Sequence, residues 1–312
     1  MSQTAETLTE APHEPAVTPA PLARTRPFYW SVRRELWENP AIVSGPVVVC
    51  GLSLLGFGLS TIGLAARRAQ TLTLDPIQQA AIIGAPYRIV AAVVLLTMLL
   101  VGLFYSLGAL QGERRDRSIL FWKSLPVSDR TTVLAKAAVP LLVLPAITFV
   151  LVPLTQALMY LWSTLLLLLG GVSIVALLAS WGDQVVLLYG LAILSLWFAP
   201  VYAWLLLLSA WARRNAFLWA VLPPIAVSIL ERSTFGTNYV GTILQTRLMG
   251  GYETAFTRPD PQALAASYGV PDTRLAELDP IRFLSTPGLW LGLLAAAVLL
   301  ATTTWLRQRR EP

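Results

Sequence analysis

The sequence predicts an all-α integral membrane protein with six transmembrane helices. Hydrophobic residues make up 55% of the 312 residues and charged residues only 13%, whereas soluble domains carry about 25% charged residues. The apolar residues are gathered into runs of about 20, the length that crosses a bilayer as a helix. Short basic stretches separate several of these runs, which is the usual pattern of a multi-pass membrane protein.

The chain before the first apolar run is predicted to be a disordered tail covering residues 1–27. Residues 1–23 are rich in Pro, Ala, Thr and Glu and contain no aromatic residue, so they cannot bury enough apolar surface to fold. They have neither a basic start nor an apolar centre, so they do not resemble a cleavable signal peptide. Residues 28–312 are predicted to form a single transmembrane domain.

A short amphipathic helix is predicted over residues 28–38. One arc of its helical wheel is apolar and consists of Phe28, Tyr29, Val32 and Leu36. Trp30 and Trp37 lie next to this arc. The opposite side is charged and carries Arg34, Glu35 and Glu38. This pattern is typical of a helix lying at the headgroup level of a bilayer. The alternative is a simple extension of the first span. Asn39-Pro40 is a good N-cap and first-turn pair for the helix that follows.

The six spans are predicted at residues 41–66, 89–110, 132–154, 185–210, 216–230 and 287–306. A third span that continues to residue 165 is the alternative. Between residues 137 and 212 the only charged side chain is Asp183. Two long spans fit there, because four would need roughly 80 residues before any loop. The loop between the first two spans contains two proline breakers, Pro76 and Pro86, and the Pro223-Pro224 pair is expected to break the fifth span. Short outer helices are predicted in residues 231–285.

The distribution of basic residues predicts that both termini are cytoplasmic. With six spans, 15 of the 23 Lys and Arg residues fall on the side of the termini, as the positive-inside rule requires. The arginine pair Arg67-Arg68 lies on the other side and is the one exception in a short loop. The net charge of +6 is therefore explained by topology, and no nucleic-acid partner is expected.

Several kinds of catalytic site are not expected. The only histidine, His13, lies in the predicted tail, and the only cysteine, Cys50, lies in an apolar run. The two lysines, Lys123 and Lys136, do not follow a GxxxxGK[ST] loop that could bind nucleotide phosphates. No predicted span has an ionisable residue at its centre, where proton relays and ion-coupling sites occur. We therefore expect no enzyme activity, cofactor or metal in this chain, and energy for any uphill transport must come from a partner.

The stretch from residue 111 to residue 136, QGERRDRSILFWKSLPVSDRTTVLAK, combines six basic and three acidic residues between long apolar flanks. It resembles the loop between the second and third spans of ABC-2 type transport permeases. The likeness lies in Gly112-Glu113, Arg117-Ser118, Leu120, the run Ser124 to Ser128 (SLPVS) and Lys136. Arg117-Ser118 stands where that family commonly has Gly-Thr.

The resemblance implies the membrane subunit of an ATP-driven exporter in the bacterial cytoplasmic (inner) membrane. It implies two copies of a separate ABC ATPase that binds and hydrolyses ATP, a second permease subunit that forms a homodimer or a heterodimer with this chain, and surrounding membrane lipid. It also implies a cytoplasmic coupling helix in the loop that docks into the ATPase. The candidate coupling residues are Glu113, Arg114, Asp116, Arg117, Ile119, Phe121, Trp122 and Leu125.

Two other interpretations remain open from the sequence. The loop could be a solvated, positively charged connection with no partner. The chain could also be a polytopic membrane enzyme or scaffold without an ATPase, although the sequence offers no buried polar dyad or metal site for catalysis. The cargo cannot be deduced, but apolar walls favour a lipid-like, peptide or drug-like molecule.

Overall fold

A computed structural model describes residues 26–61, 76–115, 127–168, 181–212, 214–256 and 278–310. These ranges are helical apart from short connections, and they contain no strand beyond an isolated bridge between Phe256 and Leu278. Six of the helical segments are long and apolar enough to cross a membrane. For the described residues, the predicted all-α class and the predicted six helices capable of crossing a membrane are thus confirmed.

The helices, numbered along the chain, form one short helix, six long segments and three further short helices. They are α1 (Pro27–Glu38), α2 (Ala41–Thr61), α3 (Pro76–Gly108), α4 (Gln111–Arg115), α5 (Asp129–Ala138), α6 (Leu144–Leu168), α7 (Trp181–Trp211), α8 (Ala216–Phe235), α9 (Tyr239–Ala255), α10 (Pro280–Ser285) and α11 (Pro287–Arg310). A π-helical turn, Val139–Val143, joins α5 to α6, so the third candidate span is continuous from Asp129 to Leu165.

Prolines break fewer helices than the sequence indicated. Pro86 lies inside α3, which begins at Pro76 rather than near residue 89. The Pro223-Pro224 pair lies inside α8, which continues to Phe235 and is not broken. Gly236, with a φ of 65°, ends α8 in the left-handed conformation that favours glycine. In the third span, Pro140 lies in the π-helical turn Val139–Val143. Such a single π turn inside an α-helix accommodates a local disturbance of the helical hydrogen bonds.

Helix α7 is the centre of the bundle. Of its most apolar window, 56% is buried inside the protein, compared with 17% for α2 and 11% for α8. Helix α11 runs beside α7 in the same direction, and the small side chains of Ala199, Ala203 and Ala296 form a buried cluster between them. Small residues allow such close helix contact in membranes. Helices α2 and α8 therefore lie at the edge of the bundle.

Helix α9 packs against the middle of α7 near the N-terminal end of α11. The Trp197 indole Nε1 donates to the carbonyl oxygens of Thr246 and Arg247, at 3.3 and 3.1 Å. The Arg247 guanidinium lies 4.6 Å from the Trp197 ring centre. The Glu231 carboxylate near the end of α8 accepts from the backbone N–H groups of Tyr239 and Val240 and so caps α9. Helices α9 and α10 are the short helices predicted between the fifth and sixth spans.

Several predicted features lie outside the described residues. They are the tail before Arg26, the loop at 62–75, the connection at 169–180, and the segment 257–277. Most of the proposed coupling segment, residues 116–126, also lies outside them.

Candidate functional site: a buried ionic cluster at one end of the bundle

Helix α1 buries its charged face rather than its aromatic face. Ser31 and Glu35 are buried, and 1% of Glu35 is exposed. The aromatic side chains of Phe28, Tyr29, Trp30 and Trp37 are exposed instead. Glu35, on the charged side of the predicted amphipathic helix, therefore faces the protein interior. In a bilayer, apolar side chains lose nothing by facing lipid, whereas a carboxylate needs partners inside the protein.

Lys136 of α5 is the main partner of Glu35. Its Nζ donates to Glu35 Oε1 at 2.8 Å and lies 3.0 Å from Glu113 Oε1. Only 2% of the Lys136 side chain is exposed. The Tyr105 hydroxyl of α3 donates to the second Glu35 oxygen, Oε2, at 2.8 Å. Both oxygens of this buried carboxylate are therefore hydrogen-bonded, as a buried charge requires.

Arg34 of α1 contacts the same two carboxylates, those of Glu35 and Glu113. Its Nη2 donates to Glu35 Oε1 at 2.8 Å and to Glu113 Oε1 at 3.2 Å. Its Nε lies 3.6 Å from the half-exposed Glu38 carboxylate. Partial burial raises the pKa of the Glu38 carboxyl above its usual value, and the Arg34 charge only partly offsets this shift. Arg34 thus connects the buried cluster to its exposed edge.

Arg307 of α11 binds both sides of the coupling segment. Its Nη1 donates to Glu113 Oε2 at 2.8 Å, and its Nε donates to Asp129 Oδ1 at 2.9 Å. Glu113 precedes the segment at 116–126 and Asp129 follows it. One guanidinium, with 4% of its side chain exposed, therefore fixes the two ends of this segment next to each other.

Each charged side chain of the cluster contacts at least one of opposite charge. Three cations, Arg34, Lys136 and Arg307, contact three buried or half-buried carboxylates, Glu35, Glu113 and Asp129. They come from α1, α4, α5 and α11, and Tyr105 adds α3. We call this end of the bundle the charged end. A cluster of paired, buried charges is suited to hold helices in register.

Helix α4 is also attached to the end of α7. The Ser209 hydroxyl accepts from the backbone N–H groups of Leu110 and Gln111, both at 3.0 Å. The Arg114 guanidinium donates to the carbonyl oxygens of Ser209 and Ala212. The start of the coupling segment is therefore connected to the central helix as well as to the cluster.

Of the predicted coupling residues, the structure places two. Glu113 and Arg114 lie at the charged end and are engaged with other parts of this chain. The other six, Asp116, Arg117, Ile119, Phe121, Trp122 and Leu125, lie outside the described residues.

Sequence reasoning missed most of the cluster. The helical wheel places Glu35 on the charged side of α1 but gives it no partner, Arg307 counts only toward the positive-inside rule, and nothing in the sequence singles out Asp129. Lys136 offered the one usable signal, since it interrupts the otherwise apolar run from Val133 to Val139. A lysine in that setting requires an anionic partner, but the sequence does not say which of the acidic residues supplies it.

The described part of the chain contains no group of three or more His, Cys, Asp or Glu side chains that could hold a metal ion. No family model matches the sequence, and no curated protein or solved structure matches it. The function must therefore be inferred from the site and the loop pattern.

Proposed function

We propose that this chain is the membrane-spanning permease subunit of an ATP-driven transporter of the ABC-2 type, acting as an exporter. Six apolar helices support a multi-pass membrane protein. The 111–136 stretch supports the type of transporter through its resemblance to the loop of these permeases. ATP is bound and hydrolysed by a separate subunit, present in two copies, and the permease itself pairs with a second copy.

The observation that carries the proposal is the attachment of the coupling segment. Its two flanking carboxylates, Glu113 and Asp129, bind the same buried guanidinium of Arg307. Lys136 and Arg34 extend these contacts to α1. A force applied to the segment is therefore transmitted to α1, α5 and α11 together, because separating any of them leaves a buried charge without its partner.

This arrangement divides the eight candidate coupling residues into two roles. Glu113 and Arg114 form the base of the segment inside the permease. We assign docking in the ATPase to the apolar side chains Ile119, Phe121, Trp122 and Leu125, with Asp116 and Arg117 forming charge pairs at the edge of the contact.

In the proposed orientation the charged end faces the cytoplasm and both termini are cytoplasmic, in the bacterial inner membrane. Helix α1 then lies at the cytoplasmic membrane surface. Its exposed tryptophans, Trp30 and Trp37, flank Arg33, whose guanidinium lies 5.2 and 4.7 Å from their ring centres. Tryptophan and arginine are favoured at this level of a bilayer.

The direct test is co-purification. The tagged full-length chain is extracted from its native membrane in a mild detergent, and the retained proteins are identified by mass spectrometry. We expect a protein with a GxxxxGK[ST] nucleotide loop, and ATP hydrolysis by the purified complex. Recovery of the folded chain without any ATPase would contradict the proposal and favour a polytopic scaffold or enzyme.

A deletion of residues 118–123 tests the segment itself. It removes the proposed docking helix but leaves Glu113, Asp129 and Arg307 in place. We expect the variant to remain inserted with an unchanged unfolding temperature, and to lose the ATPase on purification. Glu113→Arg is a less suitable test, because it places a fourth cation in the buried cluster and disrupts folding directly. Retention of an active ATPase by the deletion variant would show that the segment is wrongly assigned.

A further inference from the structure

An open apolar groove of about 830 Å³ lies between α5–α6, α7 and α11, with Phe28 of α1 at one end. Its walls include Leu134, Leu141, Ala146, Ala192 and Leu293. The one polar side chain in its lining, Ser195, donates its hydroxyl to the Leu191 carbonyl of its own helix. The groove therefore offers no free hydrogen-bonding side chain, which suits a hydrocarbon occupant and disfavours a polar peptide.

The groove runs along the bundle from the charged end. Its wall on the third span extends from Leu134 to Phe149, which corresponds to about 22 Å at the helical rise of about 1.5 Å per residue. The hydrocarbon of one leaflet is about 15 Å thick, half of the roughly 30 Å bilayer core. An acyl chain from the leaflet at the charged end therefore fits along the groove.

A basic side chain stands at the mouth of this groove. Arg130 lies four residues before Leu134 on α5, so both residues project from the same face of the helix. Arg130 is exposed, and no ion pair involves it in the described part of the chain, unlike its neighbour Asp129, which binds Arg307. Arg130 is thus free to meet an anion at the headgroup level.

We propose that this groove binds an anionic phospholipid, with an acyl chain along the apolar walls and the headgroup phosphate at Arg130. Basic positions beside a crevice between membrane helices are a recurrent way to hold anionic lipid headgroups. The proposal does not depend on an ATPase partner. It concerns the face formed by α5–α6, α7 and α11.

The headgroup contact is tested by native mass spectrometry of the full-length chain in detergent with added phosphatidylglycerol or phosphatidylcholine. We expect the chain to retain phosphatidylglycerol more tightly than phosphatidylcholine. Arg130→Gln should weaken retention of phosphatidylglycerol about fivefold, the equivalent of the ~1 kcal/mol that a basic side chain contributes near an anionic membrane surface. It should weaken retention of phosphatidylcholine less, because the choline cation of that lipid offsets its phosphate charge. Arg282→Gln, at an exposed arginine of α10, is the control and should change neither. Equal retention of phosphatidylglycerol by the Arg130→Gln variant and the unmodified chain would overturn the proposal.

The acyl-chain contact is tested by filling the groove. Ala146 lines the groove and is exposed, whereas Ala92 is exposed on α3 outside the groove. Ala146→Phe should reduce retention of both lipids and reduce cross-linking of a photoactivatable phosphatidylglycerol to peptides containing Ala192; Ala92→Phe should do neither. Unchanged cross-linking in the Ala146→Phe variant would show that lipid does not occupy the groove. Loss of a dimer with unchanged lipid retention would assign the groove to a second copy of the chain and refute the proposal.

Discussion

Lys136 is almost completely enclosed, yet it lies in a helix that belongs to a candidate membrane span. It contacts Glu35 and Glu113 at 2.8 and 3.0 Å, so its charge is balanced locally. Such a pair adds little net stability relative to an apolar core, but the loss of one partner leaves a buried charge. The cluster is therefore a constraint on which helices lie together more than a source of stability.

Lys136→Met should destabilise the protein by about 3–5 kcal/mol, because Glu35 and Glu113 would share fewer cations. The double substitution Glu35→Gln with Lys136→Met should cost clearly less than the sum of the two single substitutions, since it removes one charge of each sign. Equilibrium unfolding of the purified chain measures all three variants. Strictly additive effects would mean that these two side chains do not interact.

Gly251 of α9 permits close contact with the central helix. A Cβ placed there would lie 2.9 Å from two atoms of the Trp197 ring. Trp197 is 2% exposed and hydrogen-bonded through its Nε1, so the ring cannot easily move aside. Gly251→Ala should therefore destabilise the protein by about 1–3 kcal/mol through overpacking.

The matched control is Gly190→Ala on α7, where a Cβ would meet no atom within 4 Å. This control should be neutral, or stabilising by up to about 1 kcal/mol from the greater helix propensity of alanine. Thermal unfolding in detergent compares the two variants. Equal unfolding temperatures for Gly251→Ala and the unmodified chain would show that α9 does not pack on Trp197 as described.

At the scale of elements, α4 depends on the end of α7. The Ser209 hydroxyl accepts two backbone N–H groups at the junction of α3 and α4. These donors stand at the start of α4, where the first N–H groups of a helix have no acceptor within that helix. Helix α4 has only five residues, so it is held mainly by this junction, by Arg114 and by the ionic cluster.

Ser209→Ala should destabilise the protein by about 1–3 kcal/mol, because two backbone N–H groups lose their acceptor. Ser195→Ala removes a hydroxyl that bonds only within α7 and should change stability by less than about 1 kcal/mol. Hydrogen exchange of the amides at 110 and 111 gives the local measurement. We expect faster exchange there in Ser209→Ala and no change in Ser195→Ala; unchanged exchange in both would contradict the assigned junction.

At the scale of the whole molecule, the charged end and the α8–α9 connection lie at opposite ends of the bundle. Gln308 is exposed at the charged end, and Thr234 is exposed near the end of α8. The single native cysteine, Cys50, is buried, so an introduced cysteine can be labelled selectively. This arrangement allows the proposed orientation to be measured directly.

Gln308→Cys should react with a membrane-impermeant maleimide only in inside-out vesicles, and Thr234→Cys only in intact spheroplasts. The expectation rests on the excess of Lys and Arg on the side of the termini. The unmodified chain, with Cys50 alone, is the control and should remain unlabelled. The reverse pattern would invert the orientation, and labelling of both from one side would show that α8 and α11 do not both cross the membrane.

The number of long helices was predictable because hydropathy is a local property. A run of about 20 apolar residues is visible in the sequence whatever it packs against. Helix ends and breaks were less predictable, as Pro86 and the Pro223-Pro224 pair show. A membrane helix can retain a proline where neighbouring groups form hydrogen bonds with the backbone groups that the proline leaves without an intrahelical partner.

The sequence by itself determined the all-α class and the six apolar helices long enough to cross a membrane. Only the tertiary structure decided which face of α1 is buried and which charges meet. The contacts of Glu35 with Lys136, and of Glu113 and Asp129 with Arg307, join residues that are 101, 194 and 178 positions apart. The local sequence pattern cannot select among possible partners at such separations. A buried charge requires only that some residue of opposite charge lies beside it, and the packing of the helices determines which residue that is.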